Sequence, residues 1–549
     1  EVFLEDEPEN AIHPERPVGS THGSLRNNIL DADGAGRFAL FVDEISQVDF
    51  SSNYNILYTT GGAAAGYWNN ATQNTFLDWT GASFQDQSSL SGDPLFVGAG
   101  DYHLQSTRGS YHGGAWAPDS SDSPGLDVGD PALITIYESA PNGGRSNLGA
   151  YGNTVEASWA IGSTYGTNYY VNDASTEWDY YCSTIGMPWP GHDGLSPDQP
   201  FNSVEEVIDN YSLSPGDTVF VDTGLYFVEE SITPTRDGEA GNRITIMGSP
   251  WGSIFDGRGL TSECFSITDS YITLANLTIV NTQGFGIYAN SANYLSLLEI
   301  KTKGTGDSGF FIYRTDSARI HRSESSYSGL HGFEITLRES DIGPSIHGCS
   351  ADHNNVNGLY LYSGSNNKIL FSSFINNAFK GVYLRSAYGS TIIEDCLAGD
   401  NLEEGFFLAG DEDSTGAVIE GNLSRGNEKG FYLQFPNNAK IARNTALENL
   451  QEGFAISHSS GAEIFHNIGY DNGGYGFDIQ RSGSSVVFNN VGYHNGGELR
   501  LISHSANTNI TVKNNVLWSA GTDNHSIWMN GDASLLEWES NYNCLKAEE

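Results

Sequence analysis

Residues 405–458 read "GFFLAGDEDSTGAVIEGNLSRGNEKGFYLQFPNNAKIARNTALENLQEGFAISH". A glycine followed by an apolar, a variable and a second apolar residue occurs here three times, at Gly405, Gly430 and Gly453, with a second short apolar run midway between. Working outward, the phrase recurs as "GFGI" at Gly284, "GFFI" at Gly309, "GFEI" at Gly332, "GLYL" at Gly358, "GVYL" at Gly381 and "GFDI" at Gly476. Successive glycines lie 25, 23, 26, 23, 24, 25, 23 and 23 residues apart. Self-similarity at this period marks a stacked repeat.

Each phrase has the period-2 alternation of a short strand, and no helical period separates it from the next run. One such coil buries almost nothing. Stacking coils at the strand spacing of about 4.8 Å pairs every strand with its neighbours and makes a continuous core. The expected fold is an all-β, parallel β-helix with coils of 23–26 residues, right-handed by the chirality of parallel crossovers. Asn422, Asn444, Asn467, Asn490 and Asn515 recur just after the second strand and predict a stacked amide ladder. Cys396, Ser373 and Cys349 take the same place in earlier coils as small inward residues. Upstream, "NSVEEVIDNY" (202–211) predicts a short capping helix, with Ser203 and Glu206 at capping-box spacing and Val204, Val207 and Ile208 on one face.

The chain carries 68 Asp+Glu against 25 Lys+Arg, a formal net charge of −43 spread along its length. That balance argues against nucleic acid or an anionic membrane as partner. No apolar run reaches the length of a transmembrane segment, and the acidic opening "EVFLEDEPEN" is no signal peptide. Five cysteines without CxxC or CxH spacing give no zinc or disulfide framework.

The stretches "YYVNDAS", "HDGLSPDQPFNSVEEVI" and "SPGDTVFVDTGLY", followed by Gly/Asn-rich coils, resemble the pectate-lyase-like right-handed β-helix proteins from residue 168 to about 545. The resemblance implies secretion or a cell-surface location. For an enzyme of that group it implies a carboxylate-held Ca²⁺ against an acidic polysaccharide, with Lys or Arg as base. The fold itself requires no cofactor.

The column immediately before the phrase glycine, Lys380, Glu404, Lys429 and Glu452, is the candidate for such a site and equally suits an ion-pair ladder. Asp411, Glu412 and Asp413 in "GDEDS" are the candidate calcium ligands. In "DADGAG" (Asp31, Asp33), position 12 of a calcium loop falls on Val42, so that match fails. His321, His331, His347 and His353 fall on neighbouring coils without ligand spacing. Two residues after the glycine runs an outward column, Phe311, Glu334, Tyr360, Tyr383, Phe407, Tyr432, Ala455, Asp478, flanked by Tyr288, Tyr313 and Tyr362. Such an aromatic stripe suits sugar stacking, docking of another subunit, or cover by the chain's own loops.

"LRNNILDADGAGRFALFVDEISQVDFSSNYNIL" from Leu25 aligns with "VKNNVLWSAGTDNHSIWMNGDASLLEWESNYNCL" from Val512. Residues 1–60 are therefore expected to be the terminal coils of one β-helix unit, 61–155 its C-terminal tail, 156–167 a linker, 168–217 the cap region of a second unit and 218–549 its β-helix. Two explanations stand open, a window from a tandem polypeptide and a subunit that stacks head to tail. The expected function is an extracellular structural or surface rod or filament. Its alternatives are a polysaccharide lyase and a non-catalytic glycan-binding adhesin.

Overall fold

The computed structural model describes residues 24–548 except 44–45, 48–49, 84, 131–137, 139–144, 160–165, 241, 387–390, 411–415, 503–507, 521–524 and 531–535. Two compact units are present. One comprises the described residues up to Gly166 with Glu239–Arg243, the other Thr167–Gly238 and Ile244–Glu549.

In the second unit the repeating coils contribute one strand to each of three parallel sheets, the first coils to fewer, so that the sheets hold 15, 14 and 12 strands among the described residues. The first sheet runs from Asn168–Val171 to Leu536–Asn541, the second from Gly224–Phe227 to Cys544–Glu548, and the third from Phe265–Ile267 to Ile527–Asn530. Strands of the third sheet begin directly after the phrase glycine, as at Phe406–Ala409 and Phe431–Gln434. Their first residues point inward. Phe406, Phe431, Phe454 and Phe477 stack with ring centroids 4.8–5.0 Å apart and planes within 4°, so one aromatic file fills this side of the core. The first phrase is shifted from its predicted place. Gly284 stands outside the register, and Ile287–Asn290 pairs with Phe310–Tyr313, so Gly286 is the residue equivalent to Gly309.

The amide ladder joins the coils at the corner between the first and second sheets. Asn444 receives Asn422 N–H and Nδ2 at 3.0 and 2.9 Å on its Oδ1. It donates its own N–H and Nδ2 to Asn467 Oδ1, both at 3.0 Å. Its Nδ2 also reaches Ile419 O of the coil below at 2.8 Å. The same pattern continues through Asn467, Asn490 and Asn515 to Asn543. Below Asn422 the ladder runs through Cys396 and Cys349, with Ser372 between them; Ser372 Oγ accepts Cys349 N–H at 3.1 Å, so Ser372 and not Ser373 holds that rung.

A second ladder, absent from the sequence reading, lies at the corner before the third sheet: Asn354, Asn377, Asn401, Asn427, Asn449, Asn472 and Asn495. It explains the repeating glycine. A Cβ on Gly430 would lie 2.4 Å from Gly453 O and 3.0 Å from Asn449 Nδ2, and one on Gly381 2.9 Å from Asn401 Nδ2. The glycine is required by this close approach, not by its backbone angles.

The helix is Val204–Asn210, with Ser203 Oγ accepting Glu206 N–H at 3.3 Å; Val204 and Val207 are fully buried with Phe201 and Val219. The expected return bond of a full capping box is replaced: the Glu206 carboxylate accepts from Asn210 Nδ2.

The first unit holds a short stretch of the same architecture. Ser24–Arg26 pairs with Ser51–Asn53 and Ile29–Asp33 with Ile56–Thr60, both parallel. Phe38–Phe41 pairs with Ala64–Trp68, and the helix Phe76–Ser83 places Trp79 in a core with Val42, Leu57, Ala65 and Trp68.

Two substitutions separate ladder from core. Asn444→Ala strips donors and acceptors from three successive coils and is expected to cost about 2–4 kcal/mol; Phe431→Ala opens the aromatic file and is expected to cost about 3–5 kcal/mol. Denaturant unfolding of the full chain measures both.

Candidate functional face

Strand alternation turns the residue two after each phrase glycine outward, and all candidate groups of the third sheet meet on this face. Tyr288 pairs with Phe311 and so belongs to the column itself, not beside it; Tyr313 and Tyr362 stand two positions further along, as expected from the spacing. Phe311, Tyr360, Tyr383, Phe407 and Tyr432 are all half-buried, Tyr362 exposed.

The rings spend their faces on each other. Tyr383, Phe407 and Tyr432 stack at 5.0 Å with planes within 17°. Phe311 stacks on Phe285 at 4.8 Å, and His331 on Tyr360 at 5.2 Å. What this part of the face offers outward is ring edges and hydroxyls, whereas sugar stacking uses ring faces.

The charged column beside them forms discrete pairs. Lys380 Nζ bonds Glu403, the residue before the predicted partner, and lies 3.2 Å from Glu404. Lys429 Nζ lies 3.1 Å from Glu452. Among the described residues no ion pair joins Glu404 to Lys429, so the alternating column is broken at that step. The sequence reading omitted Arg500, which grips buried Asp478 in bidentate fashion at 2.7 and 2.5 Å and reaches Glu452 at 3.3 Å. Its signal was available: Arg500 continues the outward column one coil beyond Asp478.

Protonation follows from these contacts. Burial acts to lower the Lys380 pKa, but the carboxylates of Glu403 and Glu404 outweigh it and hold the ammonium above its usual range. Burial pulls His331 down to about 4, so its ring is neutral at pH 7; Nδ1 lies 3.3 Å from Asn357 N–H, whose donation to it places the ring proton on Nε2. Burial also raises Glu334, against a 2.6 Å bond from Ser308 Oγ.

The carboxylates of Glu403, Glu404, Glu452 and Asp478 are each held by a Lys or Arg nitrogen, which a cation would have to displace. Asp411, Glu412 and Asp413 lie outside the described residues. Among the described residues no group of three or more His, Cys, Asp or Glu side chains converges for a metal. His321 and His347 stack on the first sheet at 4.8 Å, and His353 pairs with Asp352 at 2.7 Å.

With the three-sheet coil and its outward face in place, the comparisons can be set beside them. The sequence model of the Pel9A-like, right-handed β-helix region matches residues 192–515. The chain belongs to the Pel9A-like right-handed β-helix family. Its handedness and solenoid class follow from that membership together with the parallel pairing. No curated protein sequence matches it. Among solved structures, the tailspike protein 3 of bacteriophage CBA120 is similar at 12% identity, covering 59% of this chain and 56% of the tailspike, with a TM-score of 0.44. The A-module of Azotobacter vinelandii mannuronan C-5 epimerase AlgE6 is similar at 13% identity over 61% of this chain and 91% of that one, TM-score 0.40. Pectate lyase Pel9A is similar at 16% identity over 68% and 80%, TM-score 0.34. This Pel9A-like chain thus spans a little over half of the tailspike's length.

The second ladder ends on a titratable rung. At the position of the phrase glycine stands fully buried Glu498, whose carboxylate accepts Asn495 Nδ2 at 2.7 Å and N–H at 3.3 Å. Burial raises its pKa from 4.5 to about 7, with the two Asn495 bonds opposing. The folded state therefore binds the proton that the unfolded chain has released between about pH 4.5 and 7, and stability falls as pH rises through that window. Glu498→Gln keeps the acceptor without the charge and is expected to flatten that dependence, removing a penalty on the order of 3 kcal/mol above pH 7. Urea unfolding at pH 5, 6 and 7.5 reads it.

Proposed function

We propose that this chain is a non-catalytic, extracellular structural module of a surface polypeptide assembled from tandem β-helix units. The observation that carries this reading is the pairing of acid with base between coils along the outward face. Lys380, Lys429 and Arg500 each hold carboxylates of neighbouring coils, and the rings beside them stack on each other. Abstraction of a uronate proton needs an unprotonated base, which Lys380 between two carboxylates does not supply. A net charge of −43 repels polyanionic chains and keeps a long repeat soluble. Repetition of the coil pair 25–57 at 512–545 supports the tandem arrangement.

A polysaccharide-contacting surface is the second reading. Tyr313 and Tyr362 favour it: both lie two positions beyond the outward column, Tyr313 parallel to Phe311 at 6.2 Å, with the guanidinium groups of Arg314 and Arg385 at 4.7 and 5.8 Å from their rings. An aromatic beside a cation suits an acidic sugar.

Incubation of the full chain with polygalacturonate or alginate, with and without calcium, is expected to yield no ultraviolet-absorbing unsaturated product. Lys380→Ala is expected to lower stability by on the order of 1–2 kcal/mol, as loss of a half-buried pair does. Product formation that Lys380→Ala abolishes would sink the structural reading, and sugar-array binding lost in Tyr362→Ala would replace it with the second.

A further inference from the structure

The first coils of the second unit carry two tryptophans whose rings stand in solvent. Trp178 is 79% and Trp251 67% exposed. Among the described residues neither ring stacks on another ring or receives a cation. This is the reverse of the third-sheet column, where the rings spend their faces on each other. Other aromatics of the same coils are engaged: Tyr181 packs on Phe220 at 4.9 Å, and the Arg258 guanidinium lies over Phe227 at 5.4 Å.

Trp178 also holds a left-handed backbone conformation, at φ 67°, that a large side chain adopts only at a cost. The loop that imposes it is pinned on both sides. Asp222, fully buried, accepts the N–H groups of Tyr180, Tyr181 and Cys182 at 2.6, 2.8 and 2.5 Å. Buried Asn172 donates to Asp179 Oδ2 at 2.7 Å, and Ser175 Oγ accepts Glu177 N–H at 3.0 Å. The ring is therefore presented on a fixed turn, and a ligand that meets it has little ordering left to impose.

Both tryptophans belong to the corner between the first and second sheets. Asp222 and Thr223 form that corner in one coil, and Ser249 to Gly252 form it in the next. Thr223 Oγ1 and Ser249 Oγ lie 2.7 Å apart, Ser249 Oγ accepts Trp251 N–H at 3.1 Å, and Gly224 N–H donates to Gly252 O at 3.1 Å. Leu225 and Ile254, paired in register and 42% and 37% exposed, continue the surface onto the second sheet. Exposed Thr176 and Glu177 stand directly before Trp178. Charge restricts what can bind here. Residues 167–235 hold 12 Asp+Glu and no Lys or Arg, so uronate polymers, nucleic acid and anionic lipid are repelled.

We propose that this corner binds a neutral saccharide chain, with sugar rings lying on Trp178 and Trp251. A neutral sugar offers an apolar ring face together with a rim of hydroxyls, which matches tryptophans set among Thr176, Glu177 and Thr223. The site is separate from the acidic-sugar reading of Tyr313 and Tyr362, which lie on the third sheet.

A panel of immobilised neutral hexasaccharides, probed with the full chain, tests it. Retention on at least one member is expected, and free galacturonate hexamer is expected not to compete. Trp178→Ala and Trp251→Ala are each expected to weaken that binding at least about tenfold, and Tyr362→Ala to leave it unchanged. Trp178→Gly is expected to lose binding without lowering the urea midpoint, because glycine takes the left-handed turn without strain. A lowered midpoint marks Trp178 as a packing residue and overturns the proposal. Failure to bind any neutral member overturns it too, as does binding that survives the paired tryptophan substitutions or that the uronate hexamer displaces. Self-association of the chain that the paired substitutions abolish also overturns it, and assigns the corner to a second copy.

Discussion

A side-chain amide that bonds in both directions along the stack is the constraint on which the rest of this β-helix depends. Each ladder asparagine takes up the backbone N–H and amide of the coil before it, passes its own to the coil after it, and ties back to a carbonyl below. These groups are buried, and a buried polar group left unpaired costs about 1–3 kcal/mol. Once the rungs are set, the corner geometry, the inward aromatic file and the glycine that admits the second ladder are no longer free choices.

The corners carry a conformational cost that the rungs offset. The residue before each rung lies in the left-handed region, and few of these are glycine: Tyr54, Phe371, Arg443, His466, Tyr542 and His353 all adopt it. A non-glycine residue there is strained by about 1–2 kcal/mol. Phe371 N–H donates to Glu394 O at 3.0 Å and Arg443 N–H to Phe465 O at 3.2 Å in the next coil, while Tyr54 and Tyr542 N–H are taken by the preceding Asn53 and Asn541 side chains, so the turn is fixed by hydrogen bonds at each of these corners.

This division explains what could be read from the chain. The phrase glycine, the period of the coils and the first ladder show as residue types at fixed spacing. The second ladder is equally present, since an asparagine stands three or four residues before the glycine in six successive coils from Asn354 to Asn472, and Asn495 stands three before Glu498. Corners built on tyrosine or histidine leave no turn signature to find. Adjacent serines made Ser373 and Ser372 indistinguishable until a bond chose between them, and the doubled glycine of "GFGI" displaced the first register by two. On the outward face, period-2 alternation placed the aromatic and charged columns side by side. Whether a ring offers its face, and whether a lysine is tied to Glu403 as well as Glu404, depends on rotamers that spacing does not encode.

The ladders also have a direction. In the first ladder from Asn422 to Asn515 each Oδ1 accepts from the earlier coil and each N–H donates to the later one, so the stack is a vector with unlike ends. Two such ends related by a two-fold axis would set donor against donor. Continuation of this fold through its ladders is therefore polar: the later end of a ladder offers a donor and the earlier end an acceptor, which suits a head-to-tail and not a two-fold match of the ladder groups.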